Sequence, residues 1–156
     1  LGDLRLMFDL QDLYQEIIID HSKRPRNFGA LEGANRHAEG DNPLCGDQIK
    51  VHLIVEGDTV REARFEGRGC AISTASASVM TDTIKGKPVA EVKALFEQFH
   101  RLVTGEEEPS DDVLEVDRLG AFAGVRDYPM RVKCAPLSWH TMNAALEGRD
   151  DPISTE

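Results

Sequence analysis

Three cysteines and one aspartate are the residues of this sequence whose types and positions point most directly to chemistry. Cys45 and Asp47 are two residues apart in the segment NPLCGD, Asn42–Asp47, where Gly46 and the preceding proline predict a tight loop. Such a turn can aim a thiolate and a carboxylate at one centre, and both groups are good Zn²⁺ ligands. The pair is therefore a candidate half of a metal site.

The other two cysteines lie at boundaries between predicted elements, each close to basic residues. Cys70 follows Arg68 between a predicted strand and a predicted helix, and Cys134 follows Arg131 and Lys133 before the last predicted helix. The start of a helix carries partial positive charge, which favours thiolate over thiol, and a nearby guanidinium acts in the same direction. With Cys45 and Asp47, these thiols make up the four ligands of a tetrahedral Zn²⁺ site.

Spacing alone leaves other interpretations of the thiols open. No CxxC pair is present, so the three cysteines are also compatible with free structural thiols or with redox cysteines. An odd number of cysteines argues against a framework of disulfides. The basic residues Arg131 and Lys133 are likewise either solvated charges or groups that stabilise thiolates or bind an acidic partner.

The elements that must position these residues follow from hydrophobic periodicity. Alternating apolar residues in Gln48–Glu56 and Thr59–Glu66, separated by the turn signal Gly57–Asp58, predict an antiparallel hairpin. A polar loop is expected from the first helix up to Pro43. Helices are predicted at Leu10–His21, Cys70–Lys85, Val89–Val103 and Cys134–Leu146, with a broken helical pattern at Val113–Val125. This order predicts an α+β fold with helices packed on one face of a small antiparallel sheet.

Composition limits the class of protein. The chain has 156 residues, of which 40% are hydrophobic, a size that suits a single domain over residues 1–156 with a core of about 10–148. A net charge of −10 argues against nucleic-acid binding, because phosphates would be repelled. No apolar run reaches the length of about 20 residues that spans a membrane. The first eight residues make a poor signal peptide, so we expect a cytoplasmic protein.

Four segments of the sequence carry a resemblance to a known family. They are LYQEIIIDHSKRPRNFG (Leu13–Gly29), NPLCGD (Asn42–Asp47), FEGRGCAISTASASVMTDTIKGK (Phe65–Lys87) and RVKCAPLSW (Arg131–Trp139). Together they make the chain resemble the NifU N-terminal/IscU-like family of iron–sulfur cluster assembly proteins, from about Leu10 to Gly148. Lys133, where IscU members have histidine, and an insertion at about residues 105–129 make it most similar to the SufU branch.

The resemblance implies a function and a set of site residues. It implies an α+β fold and a metal site of Cys45, Asp47, Cys70 and Cys134, supported by Arg68, Arg131 and Lys133. The resemblance implies a zinc-dependent sulfur acceptor that works with a SufS-type cysteine desulfurase. We expect Cys45 to accept the persulfide sulfur, because Gly46 makes its loop the most mobile. The alternative is a scaffold on which a [2Fe–2S] cluster, or Fe²⁺ on the way to one, is held and then passed to downstream assembly proteins or apo-proteins.

Overall fold

The structure is a computed structural model that describes residues 16–42, 46–104, 134–148 and 153–154. Four predictions therefore lie outside the described residues: the position of Cys45, the positions of Arg131 and Lys133, the helical pattern at Val113–Val125, and the insertion at about residues 105–129.

A four-stranded sheet forms the base of the fold. The strands are β1 (Arg36–Asn42), β2 (Asp47–Glu56), β3 (Thr59–Arg68) and β4 (Ile153–Ser154), in the spatial order β3-β2-β1-β4. β1, β2 and β3 pair antiparallel, and the short β4 pairs parallel to β1. The predicted hairpin is confirmed as β2 and β3, which are joined at Gly57, a glycine with a positive φ of 59°.

The polar loop predicted up to Pro43 is wrong over Arg36–Asn42, because that segment is β1. Its core-facing residues are Ala38, Gly40 and Asn42, which are too small or too polar to produce the apolar alternation of a strand. Pairing with β2 along the whole of β1, from Arg36 opposite Leu53 to Asn42 opposite Asp47, overrides this weak local preference.

Four helices lie within the described residues. The described part of α1 covers residues 16–23, followed by α2 (Ala71–Ile84), α3 (Val89–Thr104) and α4 (Leu137–Leu146). The predictions for α2 and α3 are confirmed to within one residue at each end. The last helix begins at Leu137 and not at Cys134, because Pro136 is its N-cap residue and the Pro136 carbonyl accepts the first helical hydrogen bond from the His140 N–H.

The core lies between one face of the sheet and the helices, as expected for an α+β fold. Val51 and Leu53 of β2 are fully buried on the face of the sheet that packs against the helices. Phe99 of α3 stacks on Trp139 of α4 with ring centroids 4.8 Å apart. Small side chains, among them Ala75 to Ser78, let α2 pack closely against its neighbours. Within the described residues no helix is both long and apolar enough to cross a membrane.

Gly40 allows β1 to lie against α4. A Cβ atom at Gly40 would overlap the hydroxyl oxygen of Thr141 and lie 3.2 Å from Cδ1 of Leu137. We expect Gly40→Ala to lower the free energy of unfolding by about 1–3 kcal/mol, the usual effect of overpacking, as measured by chemical denaturation. Adding Thr141→Ala removes the overlapping oxygen and should recover part of the loss; an unchanged stability in Gly40→Ala would contradict this packing.

Candidate metal centre

Asp47 lies at the start of β2, with its side chain turned into the protein. It pairs with Asn42 across the first two strands, and both residues are fully buried. One carboxylate oxygen of Asp47, Oδ1, accepts a hydrogen bond of 2.8 Å from the backbone N–H of Cys70. This bond ties the start of β2 to the start of α2 and leaves the second oxygen of the carboxylate for other contacts.

Cys70 is the N-cap residue of α2. Its backbone is extended, with φ −67° and ψ 166°, and its Sγ accepts a hydrogen bond of 3.4 Å from the N–H of Ser73. The predicted position at a helix start is thus confirmed for this cysteine. The first turn of a helix presents N–H groups that have no carbonyl partner within the helix, so it suits a side chain that accepts hydrogen bonds, as the Cys70 sulfur does here.

Cys134 reaches the same region from the segment before α4. The sulfur is fully buried, and Nδ2 of Asn42 donates to it at 3.6 Å. The neighbouring Ala135 carbonyl accepts a hydrogen bond of 2.5 Å from the Ser76 hydroxyl, which fixes this segment to α2. Cys134 is itself helical, but Ala135 and Pro136 form a turn between it and α4, so the predicted position of this cysteine at the start of the last helix is wrong.

The fold brings three of the four candidate ligands together. One ligand atom from each of Asp47, Cys70 and Cys134 lies within 4.8 Å of the other two, and Sγ of Cys70 is 3.9 Å from Oδ2 of Asp47. Ligand atoms of a tetrahedral zinc site with Zn–S and Zn–O distances of about 2.3 and 2.0–2.2 Å are separated by roughly 3.3–3.8 Å. Small side-chain adjustments would therefore close this group around one ion.

The chemistry of the donor set fits a borderline-soft metal ion. Two thiolates and one carboxylate suit Zn²⁺ or iron better than Mg²⁺ or Ca²⁺, which prefer oxygen ligands. Asp47 is fully buried and forms no ion pair within the described part of the chain, where its polar contacts are with Cys70. A buried carboxylate requires a compensating partner, and a cation between the two sulfurs would supply it. No other group of three such side chains lies this close in the described ranges.

Gly69 leaves room for the Asp47 carboxylate. A Cβ atom at Gly69 would overlap Oδ1 of Asp47 and lie 3.0 Å from its Cγ. We expect Gly69→Ala to displace the carboxylate and to weaken Zn²⁺ binding by at least tenfold, measured by competition with a chromophoric chelator. Gly86→Ala is the control for lost stability, because its added methyl group meets no atom within 4 Å but strains the backbone at a φ of 77°. It should lower the melting temperature and leave the Zn²⁺ affinity unchanged. Equal affinities in the two variants would contradict a role for Asp47 as ligand.

The predicted supporting residue Arg68 is the last residue of β3 and is exposed. It lines an open groove of about 560 Å³ on the outer face of the sheet, together with other residues of β1, β2 and β3. The groove is lined by Glu39, Gly40, Asp41, Gln48, Ile49, Lys50, Glu66, Gly67 and Arg68. The role of Arg68, like those of Arg131 and Lys133, stays a prediction.

Asn42 is the residue at this centre that sequence reasoning missed. Its amide contacts the sulfur of Cys134 from a strand that the sequence did not predict, so no local pattern could have placed it there. The one available signal was its position in the NPLCGD segment, three residues before Cys45.

The histidines lie elsewhere and have other partners. Nδ1 of His21 is 2.7 Å from Oγ of Ser78 inside the protein. His52 lies between His37 and Glu66, with its ring nitrogens 2.9 and 2.8 Å from them. Burial, and secondarily the charge of His100, lowers the pKa of His140.

Comparison with known proteins identifies a matching family and several similar proteins. The family model of the NifU-like N-terminal domain matches residues 13–135. The zinc-dependent sulfurtransferase SufU of Bacillus subtilis is 41% identical over 138 residues, which cover 88% of this chain and 92% of that protein. The iron–sulfur cluster assembly scaffold protein IscU of Streptococcus pyogenes is 38% identical over 138 residues, covering 88% of this chain and 85% of the relative.

Solved structures show the same fold. A crystal structure from Fervidobacterium islandicum, described as an iron–sulfur cluster assembly scaffold protein for the SUF system, superimposes with a TM-score of 0.77 at 37% identity. The match covers 84% of this chain and 94% of that one. A NifU-like N-terminal protein of Brucella abortus, at 24% identity, has a TM-score of 0.78 and supports the fold alone.

Proposed function

The chain belongs to the NifU-like N-terminal domain family of iron–sulfur cluster assembly proteins, and from this premise we propose that it is a zinc-dependent sulfur acceptor. In this proposal a cysteine desulfurase of the SufS type supplies the sulfur. The observation that carries the proposal is the convergence of Asp47, Cys70 and Cys134 within 4.8 Å, from segments far apart in the sequence. The 41% identity to a zinc-dependent sulfurtransferase supports zinc as the ion.

Cys45 is the proposed fourth ligand. It lies outside the described residues, and it precedes Asp47 by two positions in the sequence. Three thiolates and a carboxylate make up a full tetrahedral set for Zn²⁺. The bound ion would keep the ligand thiols deprotonated at neutral pH.

The sulfur-transfer step is a thiol–disulfide type exchange. The Cys45 thiolate attacks the terminal sulfur of the persulfide that the desulfurase carries on its own cysteine. A new S–S bond forms at Cys45, the S–S bond of the donor breaks, and the donor cysteine leaves as a thiolate. No oxidant is needed, because the transferred sulfur keeps its oxidation state. Asp47, Cys70 and Cys134 stay as the anchors of the site during the exchange.

The direct test measures desulfurase turnover together with the sulfur carried by this chain. We expect the zinc-loaded protein to raise the turnover of a SufS-type desulfurase with cysteine as substrate. Mass spectrometry should then find one added sulfur atom on the peptide that contains Cys45. Protein stripped of its metal is the matched control and should give no stimulation. Equal stimulation by stripped and zinc-loaded protein would contradict zinc dependence.

A scaffold for a [2Fe–2S] cluster is the second candidate function. Relatives from Streptococcus pyogenes and Thermotoga maritima, each 38% identical, are named iron–sulfur cluster assembly scaffold proteins, and the same cysteines and aspartate suit iron. This function predicts a brown protein after anaerobic purification that hands its cluster to an apo-ferredoxin. A colourless protein with one zinc ion and no acid-labile sulfide would exclude it.

Two further predictions from the sequence belong to the proposal. We propose that residues 1–156 form one domain, with a core of about 10–148 and an insertion at about residues 105–129. The cytoplasmic location and the downstream partners, which are assembly proteins or apo-proteins that accept sulfur or a cluster, also stay predictions.

A further inference from the structure

The amide of Asn42 lies between the sheet and one of the candidate ligands. Asn42 is the last residue of β1, directly opposite Asp47, and its side chain is fully buried. Its Nδ2 donates a hydrogen bond to Sγ of Cys134 at 3.6 Å, a normal length when the acceptor is sulfur. The pairing of β1 with β2 fixes the backbone of Asn42 and so places its N–H donor next to the Cys134 sulfur.

The oxygen of the same amide, Oδ1, has no hydrogen-bond partner among the described residues. Oδ1 of Asn42 is buried and accepts no hydrogen bond within the part of the chain that the structure describes. A buried acceptor without a partner destabilises a fold, and an apolar residue of similar size avoids this penalty. The stability of the fold therefore does not account for an asparagine at this position, whereas the N–H on the sulfur does give it a role.

From these two observations we infer that Asn42 is a positioning residue of the metal centre. Its N–H holds the Cys134 sulfur towards Asp47 and Cys70, and it withdraws electron density from that sulfur when the thiolate is bound to the ion. Hydrogen-bond partners of metal ligands orient them and tune their donor strength, and their loss typically costs 10–100-fold in metal affinity. The inference rests on the proposed metal site and adds a residue to it.

The test compares Asn42→Leu with the wild-type protein, each in its metal-bound and its metal-free form. For Zn²⁺, competition with a chromophoric chelator should show affinity lower by 10–100-fold. With Co²⁺ in place of zinc, the sulfur-to-metal charge-transfer band should move to longer wavelength, because the sulfur regains electron density. The metal-free variant should melt at the wild-type temperature or above it, because the buried acceptor is gone.

Two further variants keep the inference falsifiable. Asn42→Val also lacks the N–H donor, adds no charge that could attract the cation, and should lose a similar affinity, which covers the case in which Asn42→Leu does not fold. Thr81→Val is the control, because Thr81 donates to the Ser78 carbonyl in α2, eleven residues (about 16 Å of helix) beyond Cys70. It should lower the melting temperature and leave the metal affinity and the Co²⁺ band unchanged.

The outcomes separate this inference from the proposed function. Wild-type affinity and an unshifted Co²⁺ band in both Asn42 variants would overturn the role of Asn42 and leave the metal site standing. A wild-type protein that binds neither Zn²⁺ nor Co²⁺ would overturn the metal site, and the role of Asn42 with it.

Discussion

Stripping the metal ion from the purified protein should lower its melting temperature by about 8–16 °C. An ion bound at a free concentration about a thousandfold above its dissociation constant stabilises the folded state by about 4 kcal/mol, and each kcal/mol moves the melting temperature of a chain this long by about 2–4 °C. The ion would join β2, α2 and the segment before α4, and would neutralise the buried carboxylate of Asp47. Differential scanning calorimetry before and after dialysis against a strong chelator measures the shift.

Refilling with zinc is the control for this experiment. Adding one equivalent of Zn²⁺ to the stripped protein should restore the original melting temperature. In Cys70→Ser the chelator should have little effect, because that variant lacks an anchor of the site. An unchanged melting temperature in a wild-type protein that has demonstrably lost its metal would contradict a stabilising role for the ion.

The second large effect separates the acceptor thiol from the anchoring thiols. We expect Cys45→Ser to reduce the stimulation of desulfurase turnover by about 100-fold or more. The same variant should still bind zinc. Three protein ligands then remain, the number that zinc sites with an open fourth position use. Cys70→Ser and Cys134→Ser also keep three ligands, but each removes one of the three that the fold holds within 4.8 Å of one another, so these variants should lose the ion.

This comparison needs two measurements on the same preparations: the zinc content by elemental analysis and the stimulated desulfurase turnover. The matched control is Thr83→Ser, a conservative change on α2 that keeps the hydroxyl that bonds the Val79 carbonyl. If Cys45→Ser stimulates turnover like the wild type, Cys45 is not the acceptor. If Cys45→Ser loses zinc as readily as Cys70→Ser, the division into acceptor and anchors is wrong.

The β2–β3 hairpin and α2 could be predicted from the sequence because their signals are local. Alternation of Ile49, Val51 and Leu53 with polar residues marks β2, and the position of Cys70 between strand and helix follows from the chain order alone. These elements place Asp47 just before the first strand of the hairpin and Cys70 just after the second, so that the two residues are neighbours. Half of the candidate site could therefore be predicted from the sequence.

The rest of the site depends on contacts between distant segments. β1 has no apolar alternation and exists because it pairs with β2, and β4 consists of two residues paired to β1. The start of α4 is set by Pro136, which moves Cys134 out of the helix start that its sequence context suggested. Neither the bond from Asn42 to Cys134, 92 residues away in sequence, nor the burial of Asp47 has a local signature.

The most direct test of one metal ion held by Cys45, Asp47, Cys70 and Cys134 is X-ray absorption spectroscopy of the anaerobically purified protein. The account predicts one zinc ion per chain, with three sulfur ligands at about 2.3 Å and one oxygen ligand at about 2.0–2.2 Å. An iron edge with Fe–Fe and bridging-sulfide scattering, or zinc surrounded by oxygen and nitrogen alone, would contradict it.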